Sequence, residues 1–192
     1  MSQFTFLNNK TVLVTGVSSS DDRFKNIGQA LVELLVENNA QVIAVSRDIK
    51  KCEKAVKHLT EQGLSIVAKQ CDISNHSDVE SLFKWVEETY GSLNYLINNA
   101  GTEGVLEPID QLSLGNIDSV IDINGKGTLY CLKESISLMK RALSNDSEMD
   151  CSIINIGSIA AEIGMPNTSV YAYSKAGIAS ITRVVTIELN AY

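Results

Sequence analysis

A chain of 192 residues, 44% of them hydrophobic, can bury one sizeable core but not a second full-sized one, so residues 1–192 are expected to form a single domain. The formal net charge of −7 disfavours nucleic acid and anionic membrane surfaces as partners, because both need clustered positive charge. The four cysteines are scattered without a CxxC pair or a Cys/His cluster, residues 1–10 have no leader pattern, and no apolar run reaches spanning length; a cytoplasmic protein with reduced thiols and no metal centre is expected.

The first predicted element is a strand at 11–15 (TVLVT), β-branched and nearly all apolar, as suits a parallel strand buried on both faces. A turn begins at Gly16. A helix follows over 27–38, with Ile27, Ala30, Leu31, Leu34 and Leu35 as its apolar stripe and Glu33, Glu37 and Asn38 facing water. Next come a strand at 41–46, a helix at 50–62, a strand at 65–70, a helix at 77–90 and a strand at 95–98. A long helical region over 115–143, a strand at 152–156 and a last helix from Ala172 complete the series. Strands alternating with helices require right-handed parallel crossovers, which predicts an α/β, Rossmann-like doubly wound parallel sheet with helices on both faces. The long connections at 18–25, 102–112 and 159–170 then lie at the carboxyl ends of the strands, where such sheets bind ligands.

The segment from Gly16 through Ser18 to Asn26, Ile27 and Gly28 joins the first strand to the first helix. A pyrophosphate can rest there on backbone N–H groups and the positive end of the helix dipole. Asparagine is among the few non-glycine residues that tolerate positive φ, so Asn26 can hold this turn. Asp21 and Asp22 would repel phosphate, and Arg23 and Lys25 would attract it. At the end of the second strand, Ser46 stands where a carboxylate would accept hydrogen bonds from an adenosine ribose, and Arg47 follows it. A guanidinium there suits a 2′-phosphate and favours NADP(H) over NAD(H); the plainer alternative is a surface pair with Asp48.

Tyr171 and Lys175 lie four apart and share one face of the last predicted helix, whereas Tyr173 and Lys175 do not. A phenol gives up its proton poorly near neutral pH, and a neighbouring ammonium favours the phenolate. The pair therefore suits proton exchange with an alcohol or carbonyl oxygen. Ser158, after the fifth strand, is placed to hold that oxygen by hydrogen bonding. Read singly, each has a plainer alternative: an amphipathic pair for Tyr171 and Lys175, a turn residue for Ser158, a buried amide for Asn124.

Taken together, the glycine turn, N98-N-A-G101, Asn124, Ser158 and Y171-A-Y-S-K175, in this order and spacing, resemble the short-chain dehydrogenase/reductase family over essentially the whole chain. The resemblance implies that Gly16 and Gly28 are the first and last glycines of the family's TGxxxGxG turn, with the middle one falling on Ser20 or Asn26. It places Asp72 and Ile73 against adenine, and Asn99, Ala100 and Gly101 close to the cofactor. It gives Asn124 the role of steadying a helix and a water that leads from the lysine to solvent, and lets Lys175 also bond the nicotinamide ribose.

The implied function is an NADP(H)-dependent oxidoreductase interconverting a carbonyl and an alcohol, with Tyr171 as proton donor and acceptor. A catalytically silent NAD(P)-binding module is the alternative. A homodimer or homotetramer is implied, paired through the 115–143 region and the last helix, whose Ala172, Ala176, Ala179 and Ser180 would allow close approach; core packing is the other reading of that stripe. The family's sixth strand, nicotinamide-covering segment and seventh strand find no counterpart before Tyr192, so the strand at 152–156 is expected at an uncovered edge. His58 and His76 fall outside this set and are expected in surface or capping roles.

Overall fold

The computed structural model describes residues 4–19 and 24–190. Five parallel strands form one sheet: β1 (Thr11–Thr15), β2 (Gln41–Ser46), β3 (Ile66–Gln70), β4 (Tyr95–Asn98) and β5 (Ser152–Asn155), in the order β3-β2-β1-β4-β5. The chain winds from β1 outward to β3, returns to β4 beside β1, and continues to β5, which is the expected doubly wound arrangement.

The period of two divides neighbouring strand residues between two cores. Val12 and Val14 of β1 pack with α1 (Ile27–Glu37) and α2 (Ile49–Glu61), whereas Leu13 joins Ile43 and Val45 beneath α3 (His76–Tyr90) and α5 (Thr128–Asn145). β1 is buried along its whole length, as its composition predicts. Local chemistry sets the helix ends: Asp48 accepts the Lys51 N–H at 3.2 Å to start α2, Asn75 accepts the Ser77 N–H at 3.0 Å to start α3, and Gly91 at φ 74° ends α3.

The apolar stripe of α1 lies elsewhere than its sequence suggests. Gly28, Val32, Leu35 and Val36 are the buried positions, while Ile27, Ala30 and Leu34 face solvent. Spacing of four, seven and eight from Gly28 defines the true sheet-facing side, and the bulkier Ile27 and Leu34 drew the predicted stripe onto the neighbouring side. Asn38 does not face water either. It is buried at the end of α1, where its Oδ1 accepts the Phe4 N–H at 3.2 Å and its Nδ2 donates to the Leu34 carbonyl at 2.8 Å.

The long helical region is not one helix. It divides into α4 (Leu114–Val120), a π-helical segment (Ile121–Gly127) and α5. The last helix, α6 (Ser169–Glu188), starts at Ser169 rather than Ala172, its first turn closed by the Ala172 N–H on the Thr168 carbonyl at 2.7 Å. β5 is an outer strand with Ile154 exposed, as expected. On α6, Ala176 and Ser180 are exposed and Ala172 and Ala179 half-buried, so this stripe is not core. Both histidines are at the surface: His58 Nε2 lies 3.4 Å from Glu33 and His76 Nε2 3.1 Å from Glu134.

Candidate active site

At the carboxyl ends of β1 to β4 the molecule opens into a cleft of about 590 Å³. Gly16, Ser18, Asn26, Ile27 and Gly28 line one end of it, with Arg47 beside them at the end of β2. Asp72, Ile73, Asn99, Ala100 and Gly101 line the remainder, so the predicted cofactor residues other than Tyr171 and Lys175 share one cavity. Thr102, Ser119 and Ile123 also line it and were not singled out by sequence.

Three stretches of backbone pack closely at the glycine turn. A Cβ on Gly16, whose φ is 76°, would lie 2.6 Å from the Ala100 Cα, and one on Gly28 would lie 2.7 Å from the Gly16 carbonyl oxygen. The loop after β4 is locked against β1 by Thr15, a residue the sequence reading passed over. Its Oγ1 accepts the N–H groups of Asn99 at 3.1 Å and Ala100 at 3.0 Å, and Asn99 Nδ2 donates to the Thr15 carbonyl at 2.9 Å. Asn98 Nδ2 donates to Asn155 Oδ1 at 2.9 Å, and Asn155 Nδ2 to Thr182 Oγ1 at 2.9 Å, tying β4, β5 and α6 together.

Asn26 serves the turn by a different means from the one expected. Its φ is −79°, and it begins α1 through a reciprocal cap: Asn26 Oδ1 accepts the Gln29 N–H at 2.9 Å while Gln29 Oε1 accepts the Asn26 N–H at 3.0 Å. Its Nδ2 donates to the Ser18 carbonyl at 2.6 Å. Positive φ in the turn is supplied by Gly16. Lys25 does not face the cleft as a phosphate ligand; its ammonium pairs with Glu33, 2.7 Å from Oε1, and holds that carboxyl below its ordinary pKa. Ser20, Asp21, Asp22 and Arg23 lie outside the described residues.

Arg47 is exposed at the cleft and makes no ion pair among the described residues, so the alternative pairing with Asp48 is not formed. Asp48 instead caps α2, with Lys51 Nζ at 3.9 Å. Asp72 combines cleft lining with a turn role, since its Oδ1 accepts the Ser74 N–H at 3.0 Å and the Ser74 hydroxyl at 2.7 Å. Burial pushes the Cys71 thiol up to about 12, so this cleft residue stays a neutral thiol near pH 7.

Behind Gly101 stand Asn124 and Lys175, two of the residues expected to do chemistry. A Cβ on Gly101 would lie 3.2 Å from Asn124 Oδ1 and 3.6 Å from Lys175 Nζ, so the cleft and the Lys175 ammonium share a wall. Lys175 is 5% exposed, its Nζ donates to the Ile156 carbonyl at 2.7 Å and lies 5.9 Å from the Tyr171 ring centroid. Tyr173 is exposed, in keeping with the helical spacing that selects Tyr171.

Asn124 is fully buried in the π-helical segment. Its Oδ1 accepts the Thr102 N–H at 2.8 Å, and its Nδ2 donates to the Thr102 carbonyl at 2.8 Å and to Ser174 Oγ at 2.9 Å. Ser174, also missed, donates in turn to the Tyr171 carbonyl at 2.7 Å. One amide thus fastens the loop after β4 to the helix that carries Tyr171 and Lys175. Ser158 accepts the Ala160 N–H at 3.2 Å and caps the 3₁₀ turn Ile159–Ala161, which packs on α6. Its turn role is therefore real, and it does not line the cleft.

Burial pulls the Lys175 ammonium below the ordinary lysine pKa. Between that lowered value and the ordinary one, the unfolded chain binds the extra proton, so unfolding free energy is expected to rise as pH rises through this window. Urea denaturation across alkaline pH, with Lys175→Met as the reference, checks it; the same slope in both proteins would assign the effect elsewhere.

Among the described residues no group of His, Cys, Asp and Glu could hold a metal ion, and no helix is long and apolar enough to cross a membrane. Over residues 10–192 the chain matches the short chain dehydrogenase family. The chain belongs to this family of oxidoreductases.

Within the family, a 3beta-hydroxysteroid dehydrogenase of Mediterraneibacter gnavus is 30% identical over 179 residues, which are 93% of this chain and 60% of that protein. An uncharacterized oxidoreductase of Staphylococcus aureus is 30% identical over 185 residues, 96% of this chain and 74% of its own. The crystal structure of NAD+-bound xylitol dehydrogenase superposes with a TM-score of 0.86 at 27% identity, covering 97% of this chain and 67% of that one. The chain therefore spans about three fifths of the steroid dehydrogenase's length.

Proposed function

We propose that the protein is an NADP(H)-dependent oxidoreductase that interconverts a carbonyl and an alcohol. The wall shared at Gly101 carries this reading, because it sets Lys175 and Asn124 directly behind a cleft whose far end is the Gly16–Gly28 turn. The cleft suits a dinucleotide: Gly16 and Gly28 let the turn after β1 pack closely against the loop after β4, and the N-terminal turn of α1 opens onto the cleft. When bound, the nicotinamide supplies the hydride that reduces the carbonyl carbon.

The chain's residues handle the oxygen. Ser158 Oγ hydrogen-bonds it, and Tyr171 gives it the phenolic proton as the C=O π bond is replaced by new C–H and O–H bonds. The Lys175 charge favours the negative charge left on the tyrosine oxygen, and oxidation of an alcohol runs the same transfers in reverse. Asn124 and Ser174 hold Tyr171 and Lys175 in place relative to the cleft.

The preference for NADP(H) rests on Arg47 at the cleft and on Ser46, which offers no carboxylate to a ribose. The xylitol dehydrogenase of similar fold is NAD+-bound, so the preference for NADP(H) rests on these two residues and not on the fold. Loss of one charge-assisted contact costs about 1.5–3 kcal/mol, so Arg47→Ala is expected to raise KM for NADPH by about 10- to 100-fold and to change KM for NADH little. An equal change for both cofactors would remove Arg47 from this role. NADPH absorbance, followed with a panel of carbonyl compounds, tests the reaction: turnover supports the oxidoreductase, whereas saturable NADPH binding without turnover on any of them supports the silent binding module.

A further inference from the structure

Building on the oxidoreductase reading above, we propose that Asn116 is a positioning residue for the reaction: it clasps Val105 and so fixes the loop whose start, Gly101 and Thr102, walls the chemical end of the cleft. Asn116 Oδ1 accepts the Val105 N–H at 2.9 Å while its Nδ2 donates to the Val105 carbonyl at 3.3 Å, so one amide serves both backbone groups of one loop residue. Asn124 does the same for Thr102, accepting its N–H and donating to its carbonyl, each at 2.8 Å. Asn116 stands on α4 and Asn124 on the π-helical segment that continues it. One helical run therefore holds the loop after β4 at two points.

The span between the two clasps is stiff. Thr102 Oγ1 accepts the Gly104 N–H at 3.1 Å. Gly104, at φ 70°, approaches α4 so closely that a Cβ would lie 2.5 Å from Val120 Cγ2 and 2.6 Å from Asn116 Oδ1. Left-handed backbone and tight approach both require glycine there. A loop pinned and seated in this way passes a displacement at Val105 back to Thr102 rather than absorbing it. Thr102 lines the cleft beside Gly101, behind which Asn124 and Lys175 stand. The consequence is chemical, because reacting groups misplaced by about 1 Å can lose about 10²-fold in rate.

The clasp is not a core contact. Val105 is 53% exposed and Leu106 48%, so no buried cluster depends on their placement. Nor does α4 need the Asn116 side chain to begin, since Ser113 Oγ accepts the Asn116 backbone N–H at 3.2 Å. An amide that neither caps its helix nor seals a core, and that commits both ends to one exposed loop residue, acts on where the loop sits.

The test compares the parent with Asn116→Ala and with Asn116→Asp, which keeps an acceptor for the Val105 N–H. All three are assayed with NADPH and the carbonyl panel below the onset of their thermal unfolding. Asn116→Ala is expected to lower kcat about 10- to 50-fold. Its affinities for NADPH and for 2′,5′-ADP, read by calorimetry, are expected to stay within about threefold of the parent, because the Gly16–Gly28 turn and Arg47 are untouched. Amide hydrogen exchange at Val105 is expected to quicken by about tenfold or more, while Asn99 and Ala100, held by Thr15, keep their protection. Asn116→Asp is expected to recover at least half of the lost kcat on a logarithmic scale. Turnover lost with cofactor binding kept upholds the role. A kcat for Asn116→Ala within about threefold of the parent, a fall matched by an equal loss of affinity, or an Asp variant no better than the Ala one would each overturn it and leave the oxidoreductase standing. Unchanged exchange at Val105 would overturn the clasp whatever the activity. If the parent itself turns over none of the carbonyls, the oxidoreductase reading is the one that fails, and the positioning role falls with it.

Discussion

Tyr171→Phe is expected to lower kcat for carbonyl reduction by about 10²- to 10⁴-fold, the span usual for removing a positioned general acid. The substitution keeps the ring and takes away only the hydroxyl, so it leaves no cavity in α6. Lys175 is anchored by the Ile156 carbonyl rather than by the phenol, so its placement does not depend on the missing oxygen. NADPH affinity should accordingly fall by less than tenfold in calorimetry. The two measurements separate chemistry from binding: a variant that binds cofactor and fails to turn over confirms the proton role. Activity within threefold of the parent would show that another donor serves the oxygen, and a large loss of affinity would show that Tyr171 acts mainly in binding.

The strands β1, β2 and β4 were legible because they are buried. In β1, β2 and β4, β-branched and aliphatic residues run without a polar break, and turn residues bound them, so 11–15, 41–46 and 95–98 were read to the residue. Amphipathic helices carry more ambiguity. On α1, the bulk of Ile27 and Leu34 points to the wrong side as core, because the sheet-facing side is set by the small Gly28 with Val32, Leu35 and Val36. The π-helical segment was invisible because its wider winding adds a residue per turn and erases the period on which a helix is recognised.

Around the cleft, residue positions are more legible than the contacts that hold them. Asn26 was credited with positive φ, yet the local signal for a reciprocal cap was present in Gln29 three places on. Lys25 looks able to attract phosphate because its pairing with Glu33, on α1, is one that charge counting along the sequence does not reveal. Thr15 and Ser174 went unnoticed for a shared reason. Each meets a group that tertiary packing brings near: Thr15 the N–H groups of the loop after β4, Ser174 the side-chain amide of Asn124 in the π-helical segment. A hydroxyl buried among such groups looks, in sequence, like any other small polar residue.

Gly16→Ala is expected to cost about 3 kcal/mol or more of stability, a fall of about 6–12 °C in Tm for a chain of this size, and at least tenfold in NADPH affinity. Two terms combine. An alanine at φ 76° carries the left-handed penalty of about 1–2 kcal/mol, and its Cβ would sit 2.6 Å from the Ala100 Cα and 2.9 Å from the Ala100 nitrogen. The obstacle is backbone, and it has no room to recede, because Thr15 Oγ1 holds the N–H groups of Asn99 and Ala100 in place. Gly63→Ala isolates the first term: its φ is 74°, nearly the same, but nothing lies within 4 Å of the added Cβ. That variant should lose only the conformational penalty and keep its affinity for NADPH. Thermal unfolding and cofactor titration of the pair decide the matter, since equal losses at the two positions would mean that the close approach of the glycine turn to the loop after β4 contributes nothing to the fold or to the cleft.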